Sequence, residues 1–144
     1  MDFRIVSIPP ESVEDFNPDI PGLVAQSLKQ PGHYALAALG SDDEGDFLLG
    51  TLAFYLGDSA EDEYYVSIIY IYVDEEYREN GVGTALINEV HRVMSEEEVA
   101  ESCVLIPEEV TGVKSFFRHR GYSFDNEYSG DGSEVKMEKG IYLL

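Results

Sequence analysis

Two periods organise the hydrophobic positions of this chain. Residues 3–8 (FRIVSI) have strand composition and are stopped by Pro9-Pro10. Apolar positions are scattered over residues 11–28 and interrupted by Pro18 and Pro21, which predicts one or two short helices rather than one long one. Gln30-Pro31-Gly32 is a turn. Residues 34–39 (YALAAL) and 47–56 (FLLGTLAFYL) read as a strand pair joined by the acidic loop SDDEGD. A second acidic stretch, residues 57–63, leads into residues 64–73 (YYVSIIYIYV), apolar at nearly every position. That run predicts a central strand covered on both faces.

After Val73 the period changes. Val82, Leu86, Val90 and Val93 recur at helical spacing, with Ala85 and Met94 beside them, so residues 82–95 form an amphipathic helix. Residues 103–106 (CVLI) are a short strand stopped by Pro107. Residues 109–120 read as a helix with Val110, Val113, Phe116 and Phe117 on one side and Gly121 as its stop. Two strands end the pattern, at 122–128 and 134–142, split by the turn Ser129-Gly130-Asp131-Gly132. With no internal repeat or linker, residues 1–144 are expected to form a single α/β domain: a mixed sheet with helices on its faces.

Composition narrows the function classes. Against 29 Asp and Glu stand 9 Lys and Arg, a formal net charge of −20. Such a surface repels phosphate backbones and anionic lipid, so neither nucleic acid nor membrane is an expected partner. The charge suits either a saline cytoplasm or an acidic site for cationic partners. One cysteine, Cys103, excludes an internal disulfide and a cysteine-based zinc site, and no metal is expected. The N-terminal stretch is acidic and lacks a basic region followed by an apolar one, and the longest apolar run is about half a membrane span. A cytoplasmic protein is expected.

The chemistry concentrates in residues 73–86, V-D-E-E-Y-R-E-N-G-V-G-T-A-L. A buried strand ends, a polar turn follows, and Arg78, Gly81 and Gly83 give R-x-x-G-x-G at a helix start. The first turn of a helix has unpaired N–H groups and partial positive charge, so it can hold a phosphate. Glycines let the backbone approach the oxygens and permit positive φ. A dinucleotide fingerprint would need a third small residue where Leu86 stands, and a P-loop would need Gly-Lys-Ser/Thr where Gly83-Thr84-Ala85 stands, so both are rejected.

The segment resembles the acetyl-CoA signature of the GNAT N-acetyltransferase superfamily, roughly V-D-P-x-x-R-x-x-G-x-G-x-x-L, through Val73, Asp74, Arg78, Gly81, Gly83 and Leu86, with Glu75 in place of the usual Pro. Downstream, S-F-F-R-H-R-G-Y (115–122) is similar to the family's A-F-Y-E-K-L-G-F, and V-K-M-E-K (135–139) to its last strand. The resemblance spans essentially the whole chain. It implies a mostly antiparallel sheet of about six to seven strands flanked by about four helices. It also implies acetyl-CoA as co-substrate and a primary amine of a small molecule or peptide as acceptor. Its diphosphate would rest on Arg78, Glu79, Asn80, Gly81, Val82, Gly83 and Thr84, and its pantetheine arm would pair with Ile71, Tyr72 and Val73. Homodimers are common among proteins of this kind.

The acid–base residues depart from the family. Its usual tyrosine acid aligns with Phe117, its common Asn with Val110, and residues 64–73 contain no carboxylate. A base must come from Glu63 or Glu61, or act through water. This motivates a second reading, a domain that binds acyl-CoA as a sensor or interaction module with little catalysis. A nucleic-acid mimic would need its acids on one face, whereas they are spread along the chain. Lys114, Arg118, His119 and Arg120 form the sole basic cluster, either a solvated helix face or a local offset near the coenzyme phosphates. His33 and His91 read as surface residues, and Cys103 as a small buried apolar residue.

Overall fold

The structure is a computed structural model and describes residues 2–16, 20, 22–58, 64–78, 80–96, 101–107, 112–124 and 134–140. The elements run β1 (Arg4–Ile8), α1 (Ser12–Phe16), α2 (Gly22–Ser27), β2 (His33–Asp42), β3 (Gly45–Asp58), β4 (Tyr64–Val73), a 3-10 turn (Glu75–Tyr77), α3 (Val82–Glu96), β5 (Glu101–Pro107), α4 (Gly112–Arg118), β6 (Ser123–Phe124) and β7 (Glu134–Gly140). One seven-stranded sheet has the order β1-β2-β3-β4-β5-β7-β6. Strands β1 to β5 follow chain order and make its body; β7 and the two-residue β6 extend the edge. Every pairing is antiparallel except β4 with β5. The mixed, mostly antiparallel architecture with four α-helices is therefore the expected class.

The core divides across the sheet. On one face Val82, Leu86, Ile87, Val90 and Met94 of α3 pack with Leu36, Leu52, Phe54, Val66, Ile68, Val104 and Phe117. These α3 positions recur every three or four residues, so burying that stripe is what makes the segment a helix. On the other face Val13, Ile20, Ala25 and Leu28 close over Ala35 and Ala53. The prolines at 9 and 10 end β1 and also start α1, because their carbonyls accept from the Ser12 and Val13 amides.

Three expectations change. The stretch SDDEGD is not a loop: β2 and β3 run through it, with Asp42 opposite Gly45 and only Asp43 and Glu44 at the tip. Arg4 holds this extension by donating to Ser41 and pairing with Asp46 at 2.7 Å, while Ser41 Oγ donates to the same carboxylate. The Ser41 bond, then Arg4, keep the Asp46 carboxyl below the usual carboxylate range. Second, β4 is buried unevenly. Val66 and Ile68 are sealed under α3, but the residues facing the other way are only half-covered. Third, His91 is not a lone surface residue. Its Nε2 lies 2.8 Å from the Tyr122 hydroxyl, which is 2.6 Å from Ser102 Oγ. Burial pushes the Tyr122 phenol well above its ordinary value, so it stays protonated and holds α3, β5 and the end of α4 together. Cys103 is buried, as expected. The expected helix start at 109 and the strand ends at 125–128 and 141–142 fall outside the described residues.

Tyr122→Phe keeps the ring but strands the fully buried Ser102 hydroxyl. It should cost about 1–2 kcal/mol in urea unfolding. Ser102→Ala should cost less, because Tyr122 keeps His91.

Candidate functional site

The site begins where two strands separate. The parallel ladder between β4 and β5 lasts four residues, from Tyr65 opposite Glu101 to Ile68 opposite Val104. Beyond it Leu105, Ile106 and Pro107 continue pairing with β7, while β4 runs on to Val73 against β3 alone. The register of β4 shifts by one residue at Ile69, between the pairs Phe54–Ile68 and Ala53–Tyr70. Such a bulge bends its strand, which turns β4 away from β5. Among the described residues no strand pairs with the edge of β4 that carries Ile71, Tyr72 and Val73, and its backbone groups face the gap as donors and acceptors for an extended ligand, the Val73 carbonyl also accepting from Arg78.

The open edge leads straight into the start of α3. The Asp74 amide donates to the Leu49 carbonyl and the Asp74 carboxylate accepts from the Glu76 amide, so this acid shapes the 3-10 turn. Arg78 folds back and donates from Nε to the Val73 carbonyl at 3.0 Å, tying the loop to the end of β4. Asn80 Nδ2 donates to the Arg78 carbonyl at 3.2 Å. Gly81 then takes φ +81° and its carbonyl accepts the first helical bond, from Ala85. It occupies the N-cap position without a capping side chain, so the amides of Val82, Gly83 and Thr84 point out of the helix end.

The two glycines of the motif do different work. A Cβ on Gly81 would meet nothing within 4 Å, and its φ alone demands glycine. A Cβ on Gly83 would lie 2.9 Å from the Phe116 ring. The absent side chain at 83 lets α4 close onto the first turn of α3. Sequence reasoning assigned the glycines to ligand approach and to positive φ; Gly81 shows the positive φ, and at Gly83 the structure adds a packing reason.

The turn that follows α4 contributes a cation. Arg120 lies with its guanidinium carbon 3.6 Å from the Phe116 ring centroid, donates Nη1 to the Phe116 carbonyl at 2.7 Å, and donates Nη2 to Thr84 Oγ1. Burial lowers its pKa below the ordinary guanidinium value. The basic cluster therefore divides: Arg118 and His119 are exposed, while Arg120 turns inward to the first turn of α3. The signal was present as an arginine where the family pattern carries leucine, four residues after Phe116 and just past the end of α4.

Phe117, aligned with the expected acid, is fully buried against Phe116 and Tyr122. Tyr122 is itself sealed in the core. Tyr70 and Tyr72 lie opposite Ala53 and Thr51, on the face toward α1 and α2. Glu61, Glu63, Glu79 and Val110 lie outside the described residues. No group of three or more metal-ligating side chains is found among the described residues, and none of their helices is long and apolar enough to cross a membrane.

The sequence matches the acetyltransferase (GNAT) family over residues 4–122. No curated protein matches. Solved structures resemble this one along nearly its whole length. A Klebsiella pneumoniae protein assigned as an acyl-CoA N-acyltransferase is 18% identical, with TM-score 0.76 over 96% of this chain and 97% of its own. Arabidopsis thaliana NAA60 in complex with acetyl-CoA is 16% identical, with TM-score 0.75 over 98% and 99%. PaiA N-acetyltransferase from Thermoplasma acidophilum, in complex with coenzyme A, is 16% identical, with TM-score 0.68 over 97% and 99%. At these identities the likeness is one of fold.

Gly83→Ala should cost about 1–3 kcal/mol by overpacking against Phe116, and Phe116→Leu in the same chain should recover part of it. Gly81→Ala should cost about 1–2 kcal/mol from the positive φ alone, with no recovery from Phe116→Leu. Chemical denaturation of the four variants checks the distinction.

Proposed function

Because the chain belongs to the acetyltransferase (GNAT) family, we propose that it binds acetyl-CoA and transfers the acetyl group to a primary amine of a small molecule or peptide. One observation carries the reading: an open β4 edge that runs directly into an uncapped helix start. The residues fit the coenzyme. An extended amide-bearing arm pairs with Ile71, Tyr72 and Val73 as an added strand, and a diphosphate meets the amides of Val82, Gly83 and Thr84. Gly81, at φ +81°, sets the turn that starts the helix. Arg78 and Asn80 shape the loop that presents these donors.

When bound, acetyl-CoA supplies an activated thioester. A backbone N–H at the end of β4 stabilises negative charge on its carbonyl oxygen, a donor worth about 3 kcal/mol in the transition state. The attacking amine must be neutral. We assign Glu63, immediately before β4, as the group that takes its proton, directly or through water. The thiol leaves as thiolate, since Phe117 has no proton to give and Tyr122 is sealed in the core. Acid in residues 58–63 favours a cationic acceptor; in residues 42–46, Asp42 and Asp46 are already engaged in the hairpin.

Phe117 also supports a second reading, a domain that binds acyl-CoA and hardly turns it over. Calorimetry with coenzyme A and thiol release over a panel of amines separate the two. Binding with release supports the transferase, binding with silence across the panel supports the second reading, and absence of binding defeats both. For the transferase, Glu63→Gln should lower kcat by about 10²-fold while coenzyme A affinity stays unchanged. The rate should rise with pH as the acceptor loses its proton.

A further inference from the structure

The diphosphate reading leaves an imbalance. A chain of charge −20 must hold a polyanion, and backbone amides carry only the fractional charge of a helix end. Of the guanidinium groups, Arg4 pairs with Asp46 at the β2–β3 hairpin, and Arg92 pairs with Glu89 and Glu96 on the outer side of α3. Arg78 is exposed and donates Nε to the Val73 carbonyl, so it is held at the end of β4 rather than against the first turn of α3. Arg120 is different. It is fixed by two hydrogen bonds and a ring stack, and one of those bonds ends on Thr84, the third residue of α3.

We propose that Arg120 is a positioning residue for the coenzyme diphosphate, acting through Thr84. A threonine hydroxyl has one proton and accepts through its oxygen. With an Arg120 N–H directed at Oγ1, that proton remains for a phosphate oxygen at the turn, and the neighbouring cation makes it a better donor. Phe116 has a double role: its ring fills the space over Gly83, and its face and carbonyl hold the guanidinium flat beside Thr84. Lysine cannot reproduce this, because it lacks both the planar fork and the stack. The leucine of the family pattern would supply packing without charge.

The proposal rests on the acetyl-CoA reading, and the test separates the two. Affinities for coenzyme A, and KM values for acetyl-CoA and for acetyl-pantetheine, which lacks the diphosphate, are measured for the wild-type protein and for Arg120→Leu, Thr84→Val, the double variant and Arg118→Leu. Arg120→Leu should weaken coenzyme A binding about tenfold, the scale of one charge-assisted hydrogen bond. It should leave the acetyl-pantetheine KM unchanged, and in the Thr84→Val background it should cost less than about threefold. Arg118→Leu removes the same charge from an exposed neighbour and should change affinity little. Equal losses for both acyl donors would make Arg120 structural and overturn the proposal. So would wild-type affinity in Arg120→Leu, an equal loss in Arg118→Leu, or full additivity with Thr84→Val. Failure of the wild-type protein to bind coenzyme A would instead defeat the underlying reading.

Discussion

Everything distinctive in this molecule follows from the short parallel contact between β4 and β5. Four paired residues join the two halves of the sheet, and then the strands diverge. Had the ladder continued to Val73, the edge at Ile71–Val73 would be spent on β5. The register shift at Ile69 prevents this. It also reorients the strand, so that Ile68 and Ile71 both serve the α3 core while Tyr70 joins the opposite cluster. Gly50 is the counterpart on β3, where a Cβ would lie 2.6 Å from the Tyr72 carbonyl. One local irregularity therefore creates the gap and sets which side chains flank it.

The second constraint is electrostatic. The net charge of −20 opposes any polyanion at long range, but exposed charges are largely screened beyond roughly 8–10 Å in physiological salt. Donors at hydrogen-bond distance act inside that length. Beside the α3 start, Asp74 is used structurally as the cap of the 3-10 turn, and farther along the helix Glu89 and Glu96 pair with Arg92. Among the described residues, the hydrogen-bond donors at the α3 start are the helix amides, the Thr84 hydroxyl and Arg120. Affinity at such a site depends on fixed short-range geometry, which explains why α4 is packed so closely against it.

Most of the architecture was legible because its signals are local. The α3 stripe, the apolar β4 run, the prolines at 9, 18 and 21, and the R-x-x-G-x-G turn each announce themselves within a few residues. What escaped were consequences of tertiary pairing. The acidic hairpin tip looks like a loop because composition is blind to Arg4, which lies 42 residues from Asp46 in sequence and neutralises it. His91 and Tyr122 are 31 residues apart, and neither sequence neighbourhood hints at the other. The role of Gly83 was assigned to the ligand because a glycine that admits an aromatic ring and one that admits a phosphate are spelled alike. Glu63 lies outside the described residues, so its assignment rests on sequence reasoning.

The missing phenol can be weighed on the same terms. A general acid is most useful when the leaving group is a poor one; a thiol of ordinary pKa near 8.5 departs as thiolate with only modest help. Placing a hydroxyl at 117 would not restore an acid here, because that position is fully buried between Phe116 and Tyr122. It would strand a polar group in the core at a cost of about 1–3 kcal/mol. Phe117 is better understood as the residue that packs α4 into the core beside Tyr122, and that placement lets the next ring, Phe116, reach Gly83 and hold Arg120. The same placement therefore ties the absence of a phenol at 117 to the packing of α4 on the first turn of α3.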